Sequence, residues 1–100
     1  MKAIWNDQII AEADKDDLIY IEGNWYFPPS ALKQELTSQS TTHTTCPWKG
    51  EASYLNVEAN GETNQDAIWF YTHPKPSAIE QVKKDFTNYF AFWRGVQVAD

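Results

Sequence analysis

The sequence predicts a mainly β domain with a minor α component, in which about seven short antiparallel strands are accompanied by two short helices. Three observations support this fold class. Short runs of β-branched and aromatic residues recur at close spacing, turn-forming pairs such as Asn60-Gly61 separate them, and 100 residues fit one compact domain. We therefore expect a single domain over residues 1–100.

Seven segments have strand composition, because each is rich in β-branched or aromatic residues and is bounded by polar or turn-forming residues. They are residues 3–5, 8–13, 18–22, 25–27, 52–58, 67–71 and 89–93. Asn60-Gly61 is the strongest hairpin signal, and we expect residues 62–66 to widen its connection into an acidic loop. Residues 37–45, rich in Ser and Thr, are expected to form an irregular loop or a weak strand.

Two segments have helical signals. After Pro28-Pro29, Ser30 can cap a short helix, because its hydroxyl can accept a hydrogen bond from a free backbone N–H. The second helix is expected to begin at Ser77, which has capping-box spacing with Glu80. Apolar residues then recur at helical spacing at Ile79, Val82 and Phe86.

Charge and cysteine content exclude several classes of partner. The net charge of −6 would repel a phosphate backbone, and the eight Lys and Arg residues are scattered along the chain, so no nucleic-acid partner is expected. Cys46 is the only cysteine, so it can form no internal disulfide and no paired-thiolate zinc site. No signal peptide or membrane-length apolar run is present, which predicts a cytoplasmic protein without a membrane partner.

Residues 44–54 hold the densest group of side chains that could carry chemistry. Cys46 could act as a nucleophile, Lys49 could hold an anion and Trp48 could stack on a ring. If the bend at Pro47 brings Lys49 near Cys46, the ammonium would favour the reactive thiolate. In the alternative interpretation Cys46 is a small buried apolar residue and Lys49 is solvated.

Residues 22–28 form a second dense segment, with a carboxylate and an amide beside a turn and three consecutive aromatic rings. Strand alternation places Trp25 and Phe27 on one side and Tyr26 on the other, so we expect at least one ring to be free for a ligand or a partner. The alternative is a sheet with aromatic residues packed on both faces.

Metal and catalytic signatures are otherwise missing. His43 and His73 could in principle join Cys46 in a metal site, but no pair has ligand spacing, so we expect no metal and no cofactor. Glycine-rich phosphate loops, nucleophile elbows and paired carboxylates on one strand are also absent. The acidic residues 14, 16 and 17 are interpreted as a solvated loop.

Five motifs together resemble the bacterial family called domain of unknown function 427. They are Ala3-x-Trp5, Glu22-x-Asn24-x-Tyr26-Phe27-Pro28, Thr45-Cys46-Pro47-Trp48-Lys49-Gly50-x-Ala52-x-Tyr54, Trp69-x-Tyr71-x-x-Pro74 and Tyr89-Phe90-Ala91-Phe92. The resemblance implies a small, mostly β domain similar to the β-tent folds of methionine sulfoxide reductase B and the cereblon ligand-binding domain. Those relatives hold zinc with two Cys-x-x-Cys pairs, which this chain lacks, so a zinc-free variant is implied. The family has also been labelled a nucleotidyltransferase, but no carboxylate set for Mg²⁺ is visible here.

Our first functional hypothesis is a module that binds a small polar or aromatic ligand in a pocket of Trp and Tyr side chains. The residues assigned to this pocket are Glu22, Asn24, Tyr26, Thr45, Trp48, Lys49, Tyr54, Trp69 and Tyr71. One alternative is an enzyme with Cys46 or Lys49 as the catalytic group, assisted by Glu22 or His43. Another is an adaptor whose exposed aromatic residues bind a protein or a second copy, and we expect a monomer or a weak homodimer.

Overall fold

The computed structural model describes all of residues 1–100 and contains nine strands and one α-helix. The prediction of a mainly β, antiparallel domain is confirmed, although nine strands replace the expected seven. The elements are β1 (Lys2–Trp5), β2 (Gln8–Glu12), β3 (Ile19–Ile21), β4 (Asn24–Tyr26), β5 (Thr37–Cys46), β6 (Gly50–Ala59), β7 (Glu62–Tyr71), α1 (Pro76–Val82), β8 (Ala91–Phe92) and β9 (Gln97–Ala99).

The strands form three antiparallel sheets with the orders β2-β1-β9, β3-β4 and β5-β6-β7-β8. All seven predicted segments contain a strand, and β5 and β9 are additional. β5 is a ten-residue edge strand where an irregular loop or weak strand is expected, and its pairing is irregular between Gln39 and His43. Its Ser and Thr residues show no apolar alternation, and the strand forms because residues 37–39 and 43–46 pair with β6 on either side of a register shift.

The connection after β6 corrects one expectation. Asn60 and Gly61 form a two-residue turn with φ angles of 49° and 79°, and Ala59 pairs directly with Glu62. Two positive φ angles are typical of the type I′ turn, whose twist matches that of the flanking strands. The hairpin ladder therefore starts at once, and residues 62–66 belong to β7 instead of forming a wide acidic loop.

The two predicted helices have different outcomes. No α-helix follows Pro28-Pro29, where two short 3-10 turns, Pro29–Ala31 and Gln34–Leu36, flank an extended stretch. Leu32 in that stretch is buried and bridges to Ala11, so pairing with β2 overrides the local helical signal.

The second helix, α1, exists over Pro76–Val82 and begins one residue before Ser77. The predicted capping box is wrong, because the N-cap residue is Lys75 and no side chain caps the helix. Pro76 occupies the first turn, where its fixed φ suits a helix and its missing N–H costs no hydrogen bond. The helix ends at Lys83 in a left-handed conformation, so Phe86 lies beyond it.

The buried apolar residues form two clusters. One packs the three-stranded sheet against β7 and β8, and the other lies between β3-β4, the end of β7 and α1. Tyr26 and Phe27 are both fully buried and point into different clusters, which confirms the strand alternation. Neither ring is therefore free for a ligand, and Trp25 is half-buried against Tyr20 at a ring-centroid distance of 4.6 Å.

The α-helix is short. The single α-helix spans seven residues, so no helix is long and apolar enough to cross a bilayer.

Candidate functional site

The backbone around Lys49 is held by a close approach between two chain segments. Lys49 lies in the short turn between β5 and β6, and its carbonyl accepts a hydrogen bond from the Lys75 N–H at 3.0 Å. Gly50, with φ of 116°, follows, and a Cβ at this position would lie 3.3 Å from the His73 carbonyl oxygen. Both the backbone conformation and the tight space therefore favour glycine at this position.

Lys49 is almost completely buried, with 6% of the residue exposed. Its Nζ donates a hydrogen bond to Glu22 Oε1 at 2.6 Å and lies over the rings of Trp48 and Tyr71, at 5.1 Å and 5.5 Å from their centroids. Nζ carries three N–H donors, and Glu22 is its only hydrogen-bond acceptor in the structure. Its other two N–H donors therefore have no hydrogen-bond acceptor in the protein, and the two aromatic rings are the remaining contacts of the charge.

Both members of this ion pair are charged at neutral pH. Burial favours the neutral amine, but the hydrogen bond to Glu22 and nearby negative groups outweigh it and raise the pKa of Lys49. The hydrogen bond from Lys49 lowers the pKa of Glu22, whose side chain is 54% exposed. Lys49 is consequently a hydrogen-bond donor and not a free amine.

A cavity of about 220 Å³ opens beside this ammonium and is lined by Lys49, Tyr54, Trp69, Tyr71 and Trp93. Trp69 and Tyr71 are two residues apart on β7, so their side chains share a face, and Tyr54 on β6 is the cross-strand partner of Trp69. Trp93 follows β8 and completes the wall. The sheet register thus places four aromatic rings around one charged group.

Hydrogen bonds hold the aromatic walls in place. The Trp69 indole N–H donates to the Tyr26 hydroxyl at 3.0 Å, and the hydroxyls of Thr44 and Tyr54 are hydrogen-bonded at 2.8 Å. The Trp93 indole N–H donates to the Asp66 carbonyl at 2.5 Å, and its ring packs edge-on against Trp69 at 5.7 Å. These polar groups are already satisfied within the protein, unlike the Lys49 ammonium.

A model of the family described as a domain of unknown function, DUF427, matches residues 1–99. The chain belongs to this family. The resemblance seen in the sequence is thereby confirmed over nearly the whole chain, and the description of the DUF427 family names no activity. No curated protein matches the chain.

In this DUF427 domain the nine predicted pocket residues separate into three groups. Lys49, Tyr54, Trp69 and Tyr71 line the aromatic cavity. Glu22 and Trp48 line a second recess, of about 500 Å³, on the other side of the ion pair, together with Tyr20, Ile21, Gln81 and Val82. The other three predicted residues, Asn24, Tyr26 and Thr45, line neither depression, and Tyr26 supports Trp69 from within the core.

Sequence reasoning did not identify Trp93 or Tyr20 as site residues. Trp93 lies at the end of a predicted strand, and its role depends on Asp66, which is 27 residues away in the chain. The sequence predicts only that Tyr20 lies on the strand over residues 18–22, whereas 58% of Tyr20 is exposed. Its position on a three-residue strand, between buried Ile19 and Ile21, is the period-two signal that could have indicated an outward-facing ring.

The thiol and imidazole candidates occupy different surroundings. Cys46 is a half-buried free thiol packed in the same apolar cluster as Tyr71, and burial together with nearby side chains raises the pKa of Tyr71. His43 is exposed and contacts Ser53 and Glu51, at 3.2 Å and 3.8 Å from its Nδ1. Nowhere in the structure do three or more His, Cys, Asp or Glu side chains lie close enough to hold a metal ion.

The largest depression of the surface is elsewhere. It measures about 580 Å³ and is lined mainly by exposed polar residues, including Asp16, Asp17, Lys84 and Asp85. None of its charged groups is buried. We place the candidate site at the smaller aromatic cavity, because it combines aromatic walls with a buried lysine that has two N–H donors without a hydrogen-bond acceptor in the protein.

Proposed function

We propose that this domain binds a small planar ligand in the aromatic cavity and that Lys49 donates hydrogen bonds to an acceptor group on that ligand. The observation that carries the proposal is the buried ammonium with two unused donors at the edge of an aromatic-walled space. A carboxylate, carbonyl or phosphate oxygen would satisfy these donors. Small-molecule sites commonly combine apolar walls with a few polar groups of this kind.

The size and walls of the cavity support a ring-shaped ligand. A cavity of about 150 Å³ is enough to hold benzene, and this one measures about 220 Å³. The ring planes of Trp69 and Trp93 are inclined at 76° to each other, and a planar ligand could pack against them by stacking or edge-to-face contact. A single ring or a small fused ring with an attached oxygen acceptor therefore fits best.

The protonation state of Lys49 favours binding over amine chemistry. A lysine that attacks a carbonyl must be a neutral amine, which requires a lowered pKa. The pKa of Lys49 is raised, so the group remains an ammonium near neutral pH. This supports a role as a donor and weakens the alternative in which Lys49 forms a Schiff base.

Benzoate titration tests the proposal directly. The chain has five tryptophans, whose indole N–H groups can each be followed in a proton–nitrogen correlation spectrum. We expect benzoate to shift the signals of Trp69 and Trp93, and cyclohexanecarboxylate, which has the same charge without a planar ring, to shift them far less. If benzoate perturbs neither indole at millimolar concentration, the proposal is wrong.

Two lysine variants provide a matched pair. Lys49→Met should weaken benzoate binding about tenfold, the equivalent of one charged hydrogen bond of about 1.4 kcal/mol. Lys15 also lies over a tryptophan, 5.3 Å from the ring centroid of Trp25, but on the exposed surface, so Lys15→Met should leave the affinity within about twofold. Equal losses in the two variants would indicate nonspecific attraction of the anion.

A further inference from the structure

The recess on the outer side of the ion pair contains an unusual backbone feature. Three hairpins of the domain close with two-residue turns in which both residues have positive φ: Asn6-Asp7, Glu22-Gly23 and Asn60-Gly61. Asn is among the residues that tolerate this conformation, and it occupies the first position of two of these turns. The third turn has Glu22 there, with φ of 51°.

A glutamate in the left-handed region costs about 1 kcal/mol or more relative to a residue suited to it. The ion pair with Lys49 offsets part of this cost, but partly exposed pairs contribute little, usually less than about 1 kcal/mol. Moreover, the pair engages Oε1, while 54% of the Glu22 side chain faces solvent in the recess. The ion pair thus offsets only part of the backbone strain at Glu22, and much of the carboxylate remains accessible from the recess.

Aromatic rings stand beside this carboxylate. Tyr20 is 58% exposed and is held by its packing on Trp25 at 4.6 Å, and the half-buried Trp48 forms another part of the same recess. One face of Trp48 is already covered by Lys49 Nζ, at 5.1 Å from the ring centroid, so an external cation would use the exposed ring of Tyr20 and the remaining surface of Trp48. Ring faces next to an anion are the combination that recognises organic ammonium groups.

We propose that this recess binds an organic cation carrying a primary or quaternary ammonium group, with Glu22 as its counter-ion and Tyr20 and Trp48 as its aromatic walls. The recess, of about 500 Å³, has room for an alkylammonium or arylammonium ligand. The net charge of −6 adds a long-range attraction for cations. The site is separate from the aromatic cavity and does not depend on benzoate binding there.

Benzyltrimethylammonium is a suitable probe, with benzyl alcohol as the uncharged comparison. We expect the cation to shift the Trp48 indole signal with saturation at millimolar concentration, and benzyl alcohol to shift it much less. The benzoate experiment is followed at Trp69 and Trp93, so the failure of one proposal is distinguishable from the failure of the other. Absence of a saturable Trp48 shift, or an equal shift with benzyl alcohol, would overturn the cation site.

Two variants of Glu22 distinguish the effect of its negative charge on cation binding from the effect of its backbone conformation on stability. Glu22→Gln and Glu22→Asn should each weaken the cation at least about fivefold, since both remove the negative charge. Glu58→Gln, an exposed change on β6 away from the recess, should leave the affinity unaltered. Glu22→Asn should also be more stable to urea than Glu22→Gln, because Asn tolerates the turn conformation. A cation affinity that is the same in Glu22→Gln and Glu58→Gln would exclude Glu22 as the counter-ion.

Discussion

Replacing Asp66 with alanine tests what holds Trp93 against the aromatic cavity. Asp66 is 8% exposed and interrupts β7 with a φ of 57°, where the pairing with β6 shifts register. Its carboxylate accepts hydrogen bonds from the hydroxyls of Ser40 at 2.5 Å and Thr42 at 2.8 Å. Its N–H donates to Asn56 Oδ1 at 3.0 Å, and its carbonyl accepts the indole N–H of Trp93. The buried carboxylate thus anchors the irregularity that positions Trp93.

The expected loss of stability follows from these contacts. A hydrogen bond to a charged group contributes about 1.5–3 kcal/mol, so losing two costs about 3 kcal/mol at the lower end. Alanine is also less suited than aspartate to positive φ, which adds about 1 kcal/mol. We expect Asp66→Ala to lower the free energy of unfolding by about 4 kcal/mol, a large share of the 5–15 kcal/mol typical of a domain. Asp66→Asn, which keeps one acceptor oxygen, should lose about half as much.

Urea unfolding measures the loss of stability, and hydrogen exchange of the Trp93 indole N–H measures how firmly Trp93 is held. Asp16→Ala, at an exposed position, is the matched control and should change stability by less than about 0.5 kcal/mol. The indole hydrogen of Trp93 should exchange slowly in the unmodified protein and faster in Asp66→Ala. A loss below about 1 kcal/mol, or unchanged exchange at Trp93, would refute the assignment of Asp66 as its anchor.

Three further outcomes follow from the same structure. The hydrogen bond from Lys49 lowers the pKa of Glu22, so the ion pair stabilises the fold above the pKa that Glu has in the unfolded chain. This stabilisation is lost as the pH falls through the pKa of Glu22 in the folded protein. In urea titrations the stability difference between Glu22→Gln and the unmodified protein should therefore shrink toward pH 3. Burial raises the pKa of Tyr71, so folding should weaken above pH ~10 by up to about 1.4 kcal/mol per pH unit, and Tyr71→Phe should reduce this slope. Finally, Gly50→Ala should destabilise more than Gly95→Ala on thermal unfolding, because both have positive φ but only at Gly50 would the new Cβ press on a backbone carbonyl.

Local signals in the sequence predicted much of the fold. Strand composition located seven of the nine strands, and Asn60-Gly61 marked a hairpin, because turn propensity depends on the residues of the turn themselves. The motif around Cys46 and Lys49 also predicted the segment in which the buried lysine of the candidate site lies.

Other features depended on partners far along the chain. β5 has a polar composition and is a strand because β6 pairs with it, and the stretch around Leu32 is extended because Ala11 bridges to it. Residue propensities contain no information about either partner, since both interactions form only when distant segments of the chain come together. The prediction of a loop after Asn60-Gly61 was wrong for a similar reason, because the polar residues 62–66 can form a strand when β6 is there to pair with them.

By itself the sequence determined the mainly β class, the position of its hairpins and the supply of aromatic and charged side chains. The tertiary structure decided which rings line the cavity and which fill the core, as Tyr26 and Trp69 show. It also decided that Lys49 meets Glu22, 27 residues away, and that this pair separates two depressions where one pocket was expected. The physical reason is that turn and strand preferences are properties of neighbouring residues, whereas burial and ion pairing depend on groups that only the folded chain brings together.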